Sequence, residues 1–220
     1  MKLQAIIFDV DGTLWNTTEL VADAWQRAGE EYATKGVVTI TGEQLRKEFG
    51  KPMDLIVRNL FPEENASIQE KILKKCKKYE ELILKETNQD LLYSHVWETL
   101  QSLSKKYKLF IVSNCQEGYI PLFLEKNKLQ RYIIDFECYG ATLQSKGDNI
   151  RNLMERNGIR RAVYVGDTIG DFEATKKAGI PFVYARYGFG NVDNAEYHVE
   201  NISELPKIVE KLEKVNCDNA

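Results

Sequence analysis

Two short apolar runs, each leading into a cluster of aspartates, constrain this chain more than any other feature of its sequence. The first, LQAIIFD at residues 3–9, continues as Asp9-Val10-Asp11-Gly12-Thr13. The second, residues 162–165, continues as Gly166-Asp167-Thr168-Ile169-Gly170-Asp171. Brief runs of this kind, rich in isoleucine, valine and aromatics and without polar alternation, suit strands buried on both faces of a parallel sheet. Ligands of open parallel sheets bind beyond the carboxyl ends of the strands, so all four acids are expected at one edge of one sheet. If strand geometry persists past Asp9, the Asp9 and Asp11 carboxylates project toward the same side. Asp167 and Asp171, four apart, reach one site from a loop and from the first turn of the helix that follows. Blander roles suit the same residues: Asp-Gly is a common turn, and Asp171 is well placed to cap a helix and complement its dipole. Four clustered carboxylates would repel one another strongly without a cation. The donors are all oxygen, with no histidine or cysteine beside them, which points to magnesium rather than zinc.

The 220 residues allow one large domain or a core with an insertion, at ~150 residues per domain. Further buried-strand patterns fall at residues 108–113, 133–138, 162–166 and 181–185. Helical spacing separates them, at Val96/Leu100/Leu103, residues 120–124, Ile150/Leu153/Met154, residues 171–178 ending at Gly179, and Leu205/Ile208/Val209/Leu212. The alternation predicts an α/β fold, a Rossmann-like parallel sheet with helices on both faces. Residues 17–87 break the pattern. Leu20, Val21, Ala24, Trp25, Ala28 and Tyr32 recur at helical spacing, as do Ile68, Ile72, Cys76, Tyr79 and Ile83, with two shorter helices at 41–49 and 52–60 between them. The expected organisation is a core of residues 1–15 and 88–220, interrupted by an all-helical insertion at 16–87.

Apolar residues are 43% of the chain and charged residues 29%, which excludes general disorder. With 30 lysines and arginines against 33 acids there is no basic excess to attract nucleic acid, so none is expected as a partner. No stretch approaches the ~20 apolar residues needed to span a bilayer, and MKLQAIIFDVDG lacks the apolar segment of a signal peptide. No membrane association and a cytoplasmic location are the expectations. Cys76, Cys115, Cys138 and Cys217 are widely scattered, as reduced thiols would be. The glycosylation-like triplets at Asn16, Asn65 and Asn201 read as chance matches.

Ser113 and Asn114 end the strand pattern LFIVSN, where a hydroxyl and backbone N–H groups can receive phosphate oxygens or cap the next helix. Lys146 precedes a helix whose apolar face begins at Ile150; a cation there opposes the dipole unless an anion sits in front of it, and solvent exposure is the alternative.

Taken together, Asp9-Val10-Asp11-Gly12-Thr13, Ser113-Asn114, Lys146 and Gly166-Asp167 through Asp171 resemble the four motifs of the haloacid dehalogenase-like hydrolases, phosphatase branch. The helical insertion resembles the cap of phosphoglycolate phosphatase and β-phosphoglucomutase-like members. Three positions depart from that pattern. Gly147 follows Lys146 where proline is common, Tyr93-Ser94-His95-Val96 stands where Pro-Gly often precedes the helix, and Asn16 replaces a frequent aspartate.

The resemblance implies that Asp9 is the nucleophile and Asp11 the general acid and base. It implies that magnesium is held by Asp9, the Asp11 backbone carbonyl and Asp167 with Asp171 in support, and that Ser113, Asn114 and Lys146 bind phosphate. The implied reaction is hydrolysis of a small phosphorylated metabolite, a phosphoglycolate-like ester or a sugar phosphate, through an aspartyl-phosphate. Lys51 and Arg58, in the insertion, are candidates for reaching a polar leaving group, with a solvated surface charge as the other reading of each. Trp25 and Tyr79 are expected to hold the insertion's helices together. A phosphomutase using the same aspartates, or a non-catalytic phosphate-binding domain, are the alternative functions, and the oligomeric state is left open.

Overall fold

Six parallel strands form one sheet in the order β3-β2-β1-β4-β5-β6, and the helices pack on its two faces. This is a computed structural model, and it describes residues 2–36 and 39–218. The chain begins with β1 (Ala5–Phe8) and then leaves the sheet for four helices, α1 (Thr18–Tyr32), α2 (Gly42–Glu48), α3 (Met53–Leu60) and α4 (Ala66–Glu86). It returns through α5 (Val96–Leu103), β2 (Lys108–Ser113), α6 (Tyr119–Lys126), β3 (Ile133–Cys138), α7 (Tyr139–Thr142) and α8 (Lys146–Arg156). It ends with β4 (Ala162–Gly166), α9 (Ile169–Ala178), β5 (Phe182–Ala185), β6 (Tyr197–Val199), a 3-10 turn (Ile202–Glu204) and α10 (Leu205–Asp218). The α/β class expected from the alternation is the observed one, and the helical segment between β1 and β2 is consistent with a cap.

The central strands are continuous apolar runs because both of their faces are covered: every residue of β1 and β4 is buried. Ile6, Phe8, Val163 and Val165 face the layer that contains Leu100, Ile120, Val209 and the buried residues of the helical segment. Ala5, Ile7, Phe110 and Tyr164 face α8 and α9 through Ile150, Leu153 and Ala174. The edge strand β3 alternates instead, leaving Ile134 and Phe136 exposed. Because β1 is flanked by β2 and β4, the chain reverses its direction of travel across the sheet at the β1/β4 pair, which opens a crevice beyond their carboxyl ends. That crevice is where Asp9 and Asp167 emerge.

Local chemistry explains the element ends. Thr41 and Gln44 form a reciprocal capping box on α2, as do Thr168 and Asp171 on α9. Of the asparagines in the glycosylation-like triplets, Asn65 and Asn201 cap α4 and the 3-10 turn by accepting from Ile68 N and Ser203 N, and Asn16 accepts from Thr18 N at the start of α1. Along α4 the buried positions are Ile72, Cys76, Glu80 and Leu84, so the stripe turns away from Tyr79 and Ile83 and draws in a glutamate. Two elements escaped the sequence patterns, α7 and β6. Their four and three residues are too short to show a period, and β6 exposes His198 between two buried residues. Cys76, Cys115 and Cys138 are free thiols, and the side chain of Cys217 lies outside the described residues. Among the described residues no helix is long and apolar enough to cross a membrane.

His95, just before α5, has φ 70°, in the left-handed region that costs an L-residue about 1–2 kcal/mol. Its side chain is exposed and makes no cap hydrogen bond. His95→Gly removes that strain at an entropic cost of about 0.5–1 kcal/mol, leaving a net gain of roughly 0.5–1 kcal/mol. Thermal denaturation followed by circular dichroism should show the variant melting about 1–4 °C higher. An unchanged or lower midpoint would contradict the assignment of strain.

Candidate active site

Asp9 and Asp11 follow β1, Ser113 ends β2 and Asn114 follows it, Lys146 opens α8, and Asp167 and Asp171 flank the β4–α9 turn. Asp9, Asp11, Ser113, Lys146, Asp167 and Asp171 are all buried. Asp9, Asp167 and Asp171 each present a carboxylate oxygen within 4.8 Å of the others. Lys146 Nζ donates to Asp9 Oδ1 at 3.0 Å and to Asp171 Oδ1 at 2.6 Å. Burial alone would lower the Lys146 pKa, but the Asp171 and Asp9 charges outweigh it and hold the lysine charged. The structure therefore sets this lysine inside the acid cluster.

The aspartates have different surroundings. Asp171 Oδ2 accepts from the Thr168 N–H and hydroxyl and from Asp167 N, which completes the capping box, while Oδ1 takes Lys146. Asp171 thus caps the helix and joins the cluster at once. Asp167 accepts from Thr13 Oγ1 at 3.3 Å and Phe189 N at 2.8 Å, and forms no ion pair among the described residues. Burial, with the charges of Asp171 and Asp9, pushes its pKa well above the carboxylate range. Asp9 is raised to about 6, by burial first, with Lys146 pulling it back and Asp171 adding to the rise. Its Oδ2 is buried with no hydrogen-bond partner. Close approach here requires a missing side chain: Gly12 has φ 81°, and a Cβ on it would lie 2.2 Å from Asp167 Oδ2.

An unpartnered buried carboxylate oxygen, beside two more carboxylates and a single lysine, is a set of donors that a hard divalent cation would satisfy. The Asp11 side chain turns to a separate set of partners. Its Oδ1 accepts from Tyr119 OH at 2.6 Å, Trp15 Nε1 at 3.1 Å and Thr17 Oγ1 at 3.4 Å. Burial raises Asp11 to about 8; the Tyr119 hydrogen bond opposes the rise, and the Asp9 and Glu80 charges add to it. Two neighbouring carboxyls are thereby separated in acidity, the arrangement acid–base chemistry needs.

A narrow pocket of about 30 Å³ lies above Asp9 and Asp11, walled by Ser113, Asn114 and Gln116 on the core side and by Trp25, Lys51 and Glu80 from the helical segment. Asn114 Nδ2 donates to Gly50 O at 2.7 Å, joining the end of β2 to the α2–α3 turn. Neither Ser113 nor Asn114 caps α6, whose N-cap is Gly118. Lys51 lines the pocket and pairs with Glu48 at 2.9 Å. Arg58 pairs with Asp54 and lines a separate groove with Gln69 and Leu73. Tyr79 ties α4 to α1 through Glu31, whereas Trp25 both packs in the segment and faces the pocket. Sequence patterns did not single out Glu80, Gln116 or Tyr119. Glu80 carried a signal, an acid four residues after Cys76 on an apolar stripe; Gln116 and Tyr119 carried none.

The repulsion stored at Asp167 yields a test. Neutralising it in Asp167→Asn should raise the metal-free melting temperature by a few degrees, since a buried carboxylate is replaced by a neutral isostere. The parent should gain stability on adding millimolar magnesium, and the variant should gain little or none. Differential scanning fluorimetry with and without magnesium checks both; an equal magnesium response in the two proteins would contradict the placement of the cation.

A family model for haloacid dehalogenase-like hydrolase matches residues 6–185. A phosphoglycolate phosphatase from Agrobacterium fabrum is 26% identical, the match covering 94% of this chain and 92% of that protein. The phosphoglycolate phosphatase of Escherichia coli O157:H7 is 28% identical, covering 85% and 82%. Among solved structures, a phosphoglycolate phosphatase from Haemophilus somnus 129PT, so named by prediction, superposes with TM-score 0.83 at 20% identity, covering 94% of this chain and 98% of that one. A phosphatase from Clostridium acetobutylicum, also named by prediction, superposes with TM-score 0.83 at 22% identity, covering 96% and 100%. These two share the fold. The matched span runs from β1 to β5 and so includes every aspartate of the cluster, the end of β2 and Lys146; the chain belongs to the haloacid dehalogenase-like hydrolase family.

Proposed function

We propose that this hydrolase is a magnesium-dependent phosphatase that cleaves a small phosphomonoester through an aspartyl-phosphate on Asp9. The observation that carries the reading is the Asp9 carboxylate, held by Lys146 on one oxygen, unpartnered on the other, and adjacent to a second carboxyl of higher pKa. The phosphatase relatives support the same chemistry.

In the proposed reaction an Asp9 oxygen attacks phosphorus as the bond to the leaving oxygen breaks. Asp11 delivers the proton that the leaving oxygen needs. With three donors converging on its Oδ1, Oδ2 is the oxygen left to carry that proton. The deprotonated Asp11 then takes a proton from water, which attacks the acyl phosphate and regenerates Asp9. Ser113, the Asn114 backbone and Lys146 hold the phosphoryl oxygens as charge redistributes. Magnesium, held by Asp9, the Asp11 backbone carbonyl and Asp167 with Asp171 behind them, would supply the positive charge that lets a phosphate dianion approach a carboxylate. Residues 16–87 act as the cap that closes over substrate and excludes water, and Lys51 meets the substrate from that side. With about 30 Å³ of free space the pocket is nearly closed as it stands, so a small metabolite, such as a phosphoglycolate-like ester or a sugar phosphate, enters as the helical segment moves away from the core.

Phosphate release from a panel of phosphomonoesters tests the reading. Asp9→Asn should lose at least about 10³-fold in kcat. Asp11→Asn should lose about 10²–10⁴-fold in kcat/KM on alkyl phosphates, but far less in kcat/KM on p-nitrophenyl phosphate, whose leaving group needs no proton, while kcat, which includes the water step, falls on both. Equal turnover by Asp9→Asn, or an Asp11 effect on kcat/KM independent of the leaving group, would overturn the assigned roles.

A further inference from the structure

The pocket contains a third carboxylate that the proposed reaction does not use. Glu80, on α4, is 3% exposed and lines the pocket together with Asp9 and Asp11. Its Oε2 accepts from Trp25 Nε1 at 2.8 Å and its Oε1 from Gln116 Nε2 at 2.8 Å. Both partners are neutral N–H donors, and Glu80 forms no ion pair among the described residues. A carboxylate offers about four acceptor positions, so each oxygen keeps one for a further donor. Among the described residues Lys51 is the one cation on the pocket wall, and it is drawn to Glu48 at 2.9 Å. Its neighbour Gly50 is fastened to Asn114, which puts Lys51 beside the loop proposed to bind phosphate.

On the phosphatase reading, we infer that Glu80 selects the leaving group: it accepts hydrogen bonds from a hydroxyl-bearing, uncharged leaving group, as in a small polyol or sugar phosphate, and rejects esters whose leaving group carries a carboxylate. A carboxylate placed in that pocket would face Glu80, and Lys51 could compensate it only by leaving Glu48; like charges brought together at a desolvated contact are strongly disfavoured. A hydroxyl would instead supply the donor that the buried glutamate can still accept, and a site built to be hydrogen-bonded discriminates well against an analogue that cannot do so. Burial raises the Glu80 pKa, with Gln116 and Trp25 opposing, and both N–H donors favour its acceptor form. The choice between the two substrate types suggested for this fold thus falls on the hydroxylated one, although relatives at 26–28% identity are phosphoglycolate phosphatases.

Glycerol 3-phosphate and 3-phosphoglycerate form a matched pair, differing by a hydroxymethyl group in place of a carboxylate. The ratio of their kcat/KM values, measured on one preparation, is independent of the fraction of enzyme folded. The holoenzyme with magnesium should prefer glycerol 3-phosphate by at least about 30-fold. Glu80→Gln, which keeps shape and removes charge, should shrink the ratio to about 5-fold or less, and Glu80→Lys should reverse it. If neither ester is turned over well, the ratio of their Ki values against p-nitrophenyl phosphate reads the same preference at the level of binding. A preference for 3-phosphoglycerate in the parent would overturn the inference and leave the phosphatase reading standing. So would an equal loss on both esters in Glu80→Gln, the result expected if Glu80 merely latched the helical segment to the core through Gln116. Failure to hydrolyse p-nitrophenyl phosphate or any other ester would overturn the phosphatase reading and the inference with it.

Discussion

The burial of three carboxylates around one lysine is the constraint on which the rest of this structure depends. Asp9, Asp167 and Asp171 emerge from adjacent strand ends, and a sheet that brings β1 and β4 side by side has no choice but to bring their acids together. Lys146 reaches into the cluster from α8 and compensates Asp9 and Asp171 directly, leaving Asp167 with neutral donors alone. Incomplete compensation of buried charge costs stability and is kept where it does chemical work. An orphaned oxygen on Asp9 marks where compensation is missing, and the same atom belongs to the proposed nucleophile.

Around that centre the sheet and the helical segment divide the labour. Strand ends fix the acid cluster on rigid backbone, with Asp9 N bonded to Val165 O and the Tyr164 hydroxyl donating to Val112 O beneath it. Among the described residues, helices α1–α4 contribute no member of the acid cluster, yet they and the turns between them form the opposite wall through Trp25, Lys51 and Glu80. On the proposed reading, chemistry on the core and choice of substrate on the insertion can therefore vary independently. The hydrogen bonds from Asn114 to Gly50 and from Gln116 to Glu80 are the points where the two sides meet over the pocket.

Much of this was legible in the sequence, for reasons that also explain what was not. Strands buried on both faces announce themselves as apolar runs, so β1, β2, β4 and β5 could be located, and acids directly after such runs could be assigned to one sheet edge. Lys146 was harder. Its neighbours in sequence are polar, and nothing nearby shows that α8 delivers it 137 residues away to Asp9. Tyr119 and Gln116 were illegible, because each is defined by a partner over thirty residues away and neither breaks a local pattern. Glu80 lay between these cases. Its i, i+4 spacing from Cys76 marked it as an acid on a buried stripe, but its meaning depended on Trp25 and Gln116 meeting it there. His95 shows the limit of pattern in another way, since a left-handed backbone angle leaves no trace in a residue type that can adopt it under strain.

The central claim is that the acid cluster is completed by one divalent ion bound at Asp9. Anomalous diffraction from crystals grown with manganese, a stand-in for magnesium, tests it most directly. The account predicts a single peak about 2.0–2.2 Å from Asp9 Oδ2 and from an Asp167 oxygen. No peak at the cluster, or an ion elsewhere with Asp9 Oδ2 still without a partner, would contradict it.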